Sequence, residues 1–452
     1  MDRRAFVFTL GAMPLASHGI LNGFTAPRPR PSRAQLEWQR DELAMFIHFG
    51  VNTFTDREWG DGTESPQIFN PGALDARQWA RTAKAAGFRA MILTAKHHDG
   101  FCLWPTRTTT HSVASSPWRG GQGDVVREFV DACRSEGLKA GLYLSPWDRH
   151  EPRYGDSPRY NDFYIAQLTE LLTQYGTISE VWFDGANAEG PNGRKQEYDW
   201  PRTWATVRRL QPNAVMFSDA GPDVRWIGNE RGVAGTTNWS TVDPRIVTVP
   251  GVSGDEVMRS LQDGDRDGTV WRPGETDVSI RPGWFYHPAE DSKVRTPDDL
   301  AQLYFTSVGR NSKLLLNVPP TRDGLLHQRD VESLLGMREQ LTSMFASDVA
   351  TRGRRTWTTS GPRSAVATVT FASSERIGII DLREPIAHGQ RVAGYRIEGN
   401  DGSLWRELAA GTTIGYRRLT GIPPAILSAV RVTITDAVEP PQRIEIRCYR
   451  GR

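Results

Sequence analysis

Cysteine is scarce: three in 452 residues, Cys102, Cys133 and Cys448. None falls at a metal-type spacing, which excludes a disulfide scaffold and a cysteine-held zinc site and leaves buried free thiols as the plain reading. Charge of one sign is also lacking. With 55 Lys and Arg against 53 Asp and Glu the net charge is +2, so there is no basic face of the kind nucleic acid needs. The longest apolar run, near the N-terminus, falls short of the roughly 20 residues of a membrane span. No glycine-rich dinucleotide fingerprint follows the first strand. A hydrophobic share of 38% and a charged share of 24% are those of an ordinary soluble globular chain.

Tryptophan, by contrast, is plentiful. Several of the 15 sit beside Gly, Asp and His near strand ends, where flat sugar faces are usually held. The N-terminus reads "MDRRAFVFTLGAMPLASHG": Arg3 and Arg4 precede small apolar residues, with Phe6 two positions on. Residues 1–26 are therefore expected to be an export signal of twin-arginine type, making the protein periplasmic or secreted, with no membrane attachment after signal removal.

From residue 40, short apolar runs alternate with amphipathic stretches. "AMFIHFG", "RAMILTAK", "KAGLYLS", "EVWFDG" and "AVMFSDAG" read as strands, separated by helices such as "LDARQWARTAKAAGF" and "DVVREFVDACRSEG". Strands apolar on both faces and alternating with helices call for a parallel sheet. Five such units in about 180 residues favour a (β/α)8-type barrel over residues 27–348. Residues 222–300 are less regular, and "SKLLLNVPP" closes the barrel. Beyond residue 348 short strands follow one another without helices, which predicts a C-terminal β-sandwich over 349–452.

Chemistry on a barrel sits at the C-terminal ends of the strands. Those ends carry His48, then Lys96, His97, His98 and Asp99, then Tyr143 and Trp147, then Asp184, then Ser218 and Asp219. Asp184 closes the greasy run "EVWFDG", where burial of a charge would be costly unless the strand opens into a mouth. Two chemistries fit. A metal hydrolase would use His48, His97 and Asp184 as ligands. Glycoside hydrolysis would use two carboxylates, with His and Trp holding the sugar. The first strand ends in a single His, not His-x-His, and His97 and His98, if adjacent on a strand, would point to opposite faces. Both features disfavour a metal, and no metal or other cofactor is expected.

"MFIHFGVNTFTDREWG", "TAKHHDGFCLWPT", "GLYLSPWD" and "EVWFDGA" resemble, in order, the α-L-fucosidases of glycoside hydrolase family 29, a likeness running from about residue 40 to 345. The resemblance implies a retaining exo-glycosidase acting on fucosylated oligosaccharides or glycoconjugates. Asp184 would be the nucleophile, and His48, His97, His98, Glu58, Trp59, Tyr143 and Trp284 would bind the sugar. For the acid/base it offers two candidates. Glu230, in "WIGNERG", resembles the subgroup selective for α-1,3/1,4 (Lewis-type) fucose; Glu275, in "PGETDVSIRPGWFYH", aligns with the broader-specificity subgroup. Trp226 and Asn229 beside Glu230 suit a pocket wall, so Glu230 is preferred and Glu275 is assigned to substrate binding or structure. The loops 189–200 and 245–275 would meet neighbouring sugars. Imidazole, Tyr and Arg donors would keep the nucleophile ionised, and apolar surroundings would keep the acid protonated. A carbohydrate-binding protein on a degenerate barrel, or a retaining hydrolase for another sugar, would share much of this pattern.

Overall fold

The computed structural model describes residues 27–451; the expected export signal lies outside them. Among the described residues ten strands precede the C-terminal domain: β1 (Leu43–Ile47), β2 (Ala90–Lys96), β3 (Lys139–Leu144), β4 (Glu180–Trp182), β5 (Val215–Phe217), β6 (Arg225–Trp226), β7 (Thr241–Val242), β8 (Val270–Trp271), β9 (Gly274–Ser279) and β10 (Ser312–Asn317). Eight of them form one parallel sheet in the order β5-β4-β3-β2-β1-β10-β9-β6. A single parallel bridge between Phe217 and Val224 brings its two edges together. The result is a nearly closed (β/α)8 barrel; β7 and β8 pair separately as a small ribbon.

The helices follow from local chemistry. Asp75, Asp124 and Asp199 each accept a backbone N–H in the first turn of Ala76–Ala85, Val125–Glu136 and Trp200–Leu210. Gly137, with φ 71°, ends the second of these in the left-handed region that favours glycine. Strand residues alternate between two cores. Met45, Met91, Leu93, Val181 and Leu314 face the helices; Ala44, Phe46, Ile92, Tyr143, Trp182, Phe217 and Leu315 fill the barrel.

The sequence placed no strand at β6 or β9. β6 is two residues long, and β9 alternates Glu275, Asp277 and Ser279 with Thr276 and Val278, all buried. Its inward positions are polar because the barrel interior is polar there, so the apolar run that marks the other strands is missing.

The barrel floor carries ions. Lys313 Nζ lies 3.0 Å from Glu180 Oε2 and 3.8 Å from Glu275 Oε2, all three side chains essentially without exposure. Trp38 donates to Glu180 at 2.9 Å. Burial and the Glu180 charge hold the Glu275 carboxyl well above the usual range, so one ammonium balances one carboxylate. Replacing Lys313 with Met leaves Glu180 buried without its cation and is expected to cost about 3–5 kcal/mol of stability, read by denaturant unfolding.

The C-terminal domain is an antiparallel sheet of β11 (Arg354–Gly361), β12 (Ser364–Arg383), β13 (Val392–Asn400), β14 (Trp405–Gly411), β15 (Arg418–Ala437) and β16 (Glu445–Tyr449). The long strands β12 and β15 carry irregularities in their pairing, and the domain encloses its own core around Val369, Ile380, Val432 and Ile446, as a β-sandwich does. Most of the segment "GTTIGYRRL" is the turn between β14 and β15, not a strand of its own. Arg417 ties this domain to the barrel through Glu42 at 3.0 Å, and Asn311 reaches Gln390 at 3.3 Å. All three cysteines are free and buried. Among the described residues no helix is long and apolar enough to cross a membrane.

Candidate active site

At the C-terminal mouth of the barrel lies a pocket of about 380 Å³, lined by His48, Glu58, Trp59, His97, His98, Tyr143, Trp182, Asp184, Glu230, Asp277 and Trp284 with Phe46 and Ala186. A second chamber of about 310 Å³ adjoins it and shares Trp182, Asp184, Ala186, Glu230 and Asp277. Asp184 and Glu230 thus stand where the two chambers meet. Nine of the eleven residues expected to form the site line the first chamber, and Trp226 lines the second. Glu275 lines neither.

Alternation explains why these side chains converge. On β4 and just beyond it, Glu180, Trp182 and Asp184 point inward in succession, from floor to mouth. That resolves the acid at the end of an apolar strand: Phe183 packs into the core, whereas the Asp184 side chain keeps 27% of its surface in the open pocket. Tyr143 donates to its Oδ2 at 3.3 Å, and the Ala186 N–H donates to Oδ1 at 2.6 Å. Among the described residues no Lys or Arg lines either chamber, so the expected arginine donor is not found there.

His48 continues the inward series of β1, and its Nδ1 lies 2.8 Å from Asn317 Oδ1. Burial pushes its pKa down to about 3, so the ring is neutral under all ordinary conditions. His97 and His98 follow the last residue of β2 in a turn. Freed from strand alternation, both enter the pocket, with ring centroids 4.1 Å apart, which corrects the expectation of opposite faces. Burial lowers both pKa values. His98 Nδ1 lies 2.7 Å from Ser145 Oγ, and its Nε2 is 4.0 Å from Asp184 Oδ2.

Glu230 sits in a turn held by Asn229, whose amide donates to Val233 O at 3.0 Å and Gln262 Oε1 at 2.9 Å. Asn229 therefore shapes the loop and is not a wall. Burial, first, and the Asp184 and Glu58 charges raise the Glu230 pKa, against a hydrogen bond from the Trp284 side chain. A raised pKa is the direction that a general acid requires. Asp277, which sequence reasoning missed, accepts from Trp226 Nε1 at 2.8 Å, and burial holds it well above the carboxylate range. The inward parity of "ETDVS" was the signal that could have found it.

Glu58 is spoken for by protein. It accepts the backbone N–H of Trp284 and, at 3.3 Å, that of Phe285, and meets His287 Nε2 at 3.0 Å. It orients the segment carrying Trp284, whose ring lies 5.1 Å from His48. Trp59 stands 58% exposed at the rim, edge-on to His98 and Trp147, each at 6.0 Å. Glu275 is corrected as a sugar-binding residue: it lies beneath Trp182, whose indole donates to it at 3.1 Å, with no exposed surface.

In the second chamber Asp219 accepts the Gly251 N–H at 2.9 Å, and burial raises its pKa to about 6. Of the two loops expected to meet further sugars, 245–275 contributes Gly251, Val252, Ser253 and Met258 and 189–200 contributes nothing to either chamber. Among the described residues no group of three or more His, Cys, Asp or Glu is arranged to hold a metal ion.

Comparison with known proteins agrees with this geometry. Residues 37–343 match the Alpha-L-fucosidase family. Alpha-L-fucosidase 1 of Arabidopsis thaliana is 44% identical over 422 residues, 86% of this chain and 81% of its own. A glycoside hydrolase 29 family member from an unknown rumen bacterium superposes with a TM-score of 0.87 at 40% identity, covering 94% of this chain and 78% of that one. A Ruminococcus gnavus family 29 fucosidase solved in complex with fucose gives a TM-score of 0.84 at 30% identity, over 96% and 98% of the two chains.

Proposed function

This chain belongs to the α-L-fucosidase family and is a glycoside hydrolase, and on that footing we propose that it is a retaining exo-enzyme removing α-1,3/1,4-linked, Lewis-type fucose, with Asp184 as nucleophile and Glu230 as acid/base. One observation carries the reading: both carboxyls stand at the junction of two chambers, where a scissile bond would lie between a sugar held inside and its aglycone outside.

In the inner chamber neutral imidazoles and Tyr143 would bind hydroxyls, while Phe46, Trp182 and Trp284 offer apolar surface for the methyl group of a deoxy-sugar. Asp184 Oδ attacks the anomeric carbon, the glycosidic C–O bond breaks, and Glu230 gives its proton to the departing oxygen. Glu230, now a carboxylate, takes a proton from water as that water attacks the covalent fucosyl-enzyme, releasing Asp184 and fucose of unchanged anomeric configuration.

The linkage preference is supported by the second chamber. It is open, and Asp219, Ser253 and the Trp226–Met258 wall offer polar and apolar contacts to branched sugars. The burial of Glu275 under Trp182 argues against its use as the acid of a broad-specificity enzyme. We expect fucose release from Lewis-type trisaccharides with kcat/KM at least equal to that on an aryl fucoside. Turnover of the aryl fucoside with none of the trisaccharides would contradict the linkage assignment. We also propose that the enzyme acts after export, on the strength of the Arg3–Arg4 leader.

A further inference from the structure

We propose that Asn317 and Ser145 are positioning residues that lock His48 and His98 in the Nδ1–H form, so that each ring turns a bare Nε2 acceptor toward the hydroxyls of bound fucose. The inference rests on the fucosidase reading of the pocket and adds a direction to it: these two histidines accept, rather than donate, hydrogen bonds.

The argument is one of donors and acceptors. The Asn317 amide donates from Nδ2 to the Trp284 carbonyl at 2.8 Å and to Ser279 Oγ at 2.9 Å. A carbonyl can only accept, so the amide is fixed with its NH2 on that side and its Oδ1 toward His48. Oδ1 lies 2.8 Å from His48 Nδ1, a distance that two acceptors would not share; Nδ1 therefore carries the proton. Ser145 repeats the logic. Its hydroxyl gives its one proton to the Trp147 carbonyl at 2.7 Å, which leaves Oγ only its lone pairs for His98 Nδ1, also at 2.7 Å. In a neutral imidazole one protonated nitrogen leaves the other bare.

Both rings are neutral. Burial lowers each pKa, and for His98 it outweighs the opposing pull of Asp184. The ionisable neighbours of His48 are His97, His98 and Tyr143, with Glu58, Asp184, Glu230 and Asp277 across the pocket. Those of His98 are His97, Asp184, Asp148, Lys96 and Arg149. The 4.0 Å between His98 Nε2 and Asp184 Oδ2 separates two acceptors with no proton between them, which suits a donor supplied by the sugar. Sequence gives no hint of either lock, since Asn317 and Ser145 read as ordinary strand-end residues.

The test is a two-bond proton–nitrogen correlation spectrum of the intact enzyme labelled with [15N]histidine at neutral pH, assigned with His48→Gln and His98→Gln. The expected result is a bare Nε2 and a protonated Nδ1 in both rings; a proton on Nε2 of either ring overturns the proposal, whatever the variants do. Kinetics supply the second arm. Asn317→Asp sets a carboxylate against Nδ1 and favours the imidazolium, so the acid limb of kcat/KM should move up by about one pH unit or more. Ser145→Ala should raise KM about tenfold with kcat nearly kept, the loss of one ground-state hydrogen bond. An unmoved acid limb together with an unchanged KM would overturn it as well. Bare Nε2 signals in a protein that cleaves no fucoside would sink the fucosidase reading and leave the locks standing.

Discussion

Asp184→Ala lowers kcat/KM on an aryl fucoside by more than about 10⁴-fold, the scale on which removal of a covalent nucleophile acts in hydrolases. The loss falls on the chemical step because the side chain does little for the fold: among the described residues its carboxylate accepts hydrogen bonds from the Tyr143 hydroxyl and its own loop's Ala186 N–H. Thermal unfolding should therefore be nearly unchanged, which separates a missing nucleophile from a collapsed pocket. Azide, small enough for the space left, should restore turnover and yield a fucosyl azide of inverted configuration. Unimpaired turnover by this variant would move the nucleophile elsewhere.

Glu230→Gln behaves differently. A general acid contributes about 10²–10⁴-fold, and its worth grows with the difficulty of the leaving group. The variant should therefore lose most of its activity on trisaccharides while retaining measurable turnover of an aryl fucoside. Azide should accelerate that residual turnover and give a product of retained configuration, by attack on the fucosyl-enzyme. The pH profile supplies a second reading. Burial raises the Glu230 pKa, so the proton is held to higher pH than on a free Glu and kcat/KM falls only as pH rises through that raised value. In Glu230→Gln this alkaline limb should vanish. If Glu275→Gln shows the leaving-group dependence instead, the acid has been misassigned.

How far the sequence could be read depends on what each residue faces. Strands β1 to β4 were legible because apolar residues dominate both of their faces, and their ends delivered His48, Tyr143 and Asp184 by simple alternation. Alternation also misled, at His97 and His98, because β2 stops at Lys96 and a turn puts both rings on one side. β9 went unseen for the opposite reason. Its inward face is Glu275, Asp277 and Ser279, so a barrel strand wears the pattern of a loop, and with it went Asp277. Glu275 was placed in the pocket although it lies on the floor with Lys313; sequence gives the face of a strand but not the depth. Asn317 and Ser145 were invisible because their role is defined by partners far away in the chain, Trp284 and His98.

The claim on which the rest depends is that Asp184 forms a bond to the sugar. A 2-deoxy-2-fluoro-fucosyl donor with a good leaving group slows breakdown of such an adduct enough for proteolysis and mass spectrometry. The account predicts inactivation with one fluorofucosyl group on the peptide containing Asp184. A label on any other residue, or turnover without an adduct and with inverted fucose as product, would contradict it.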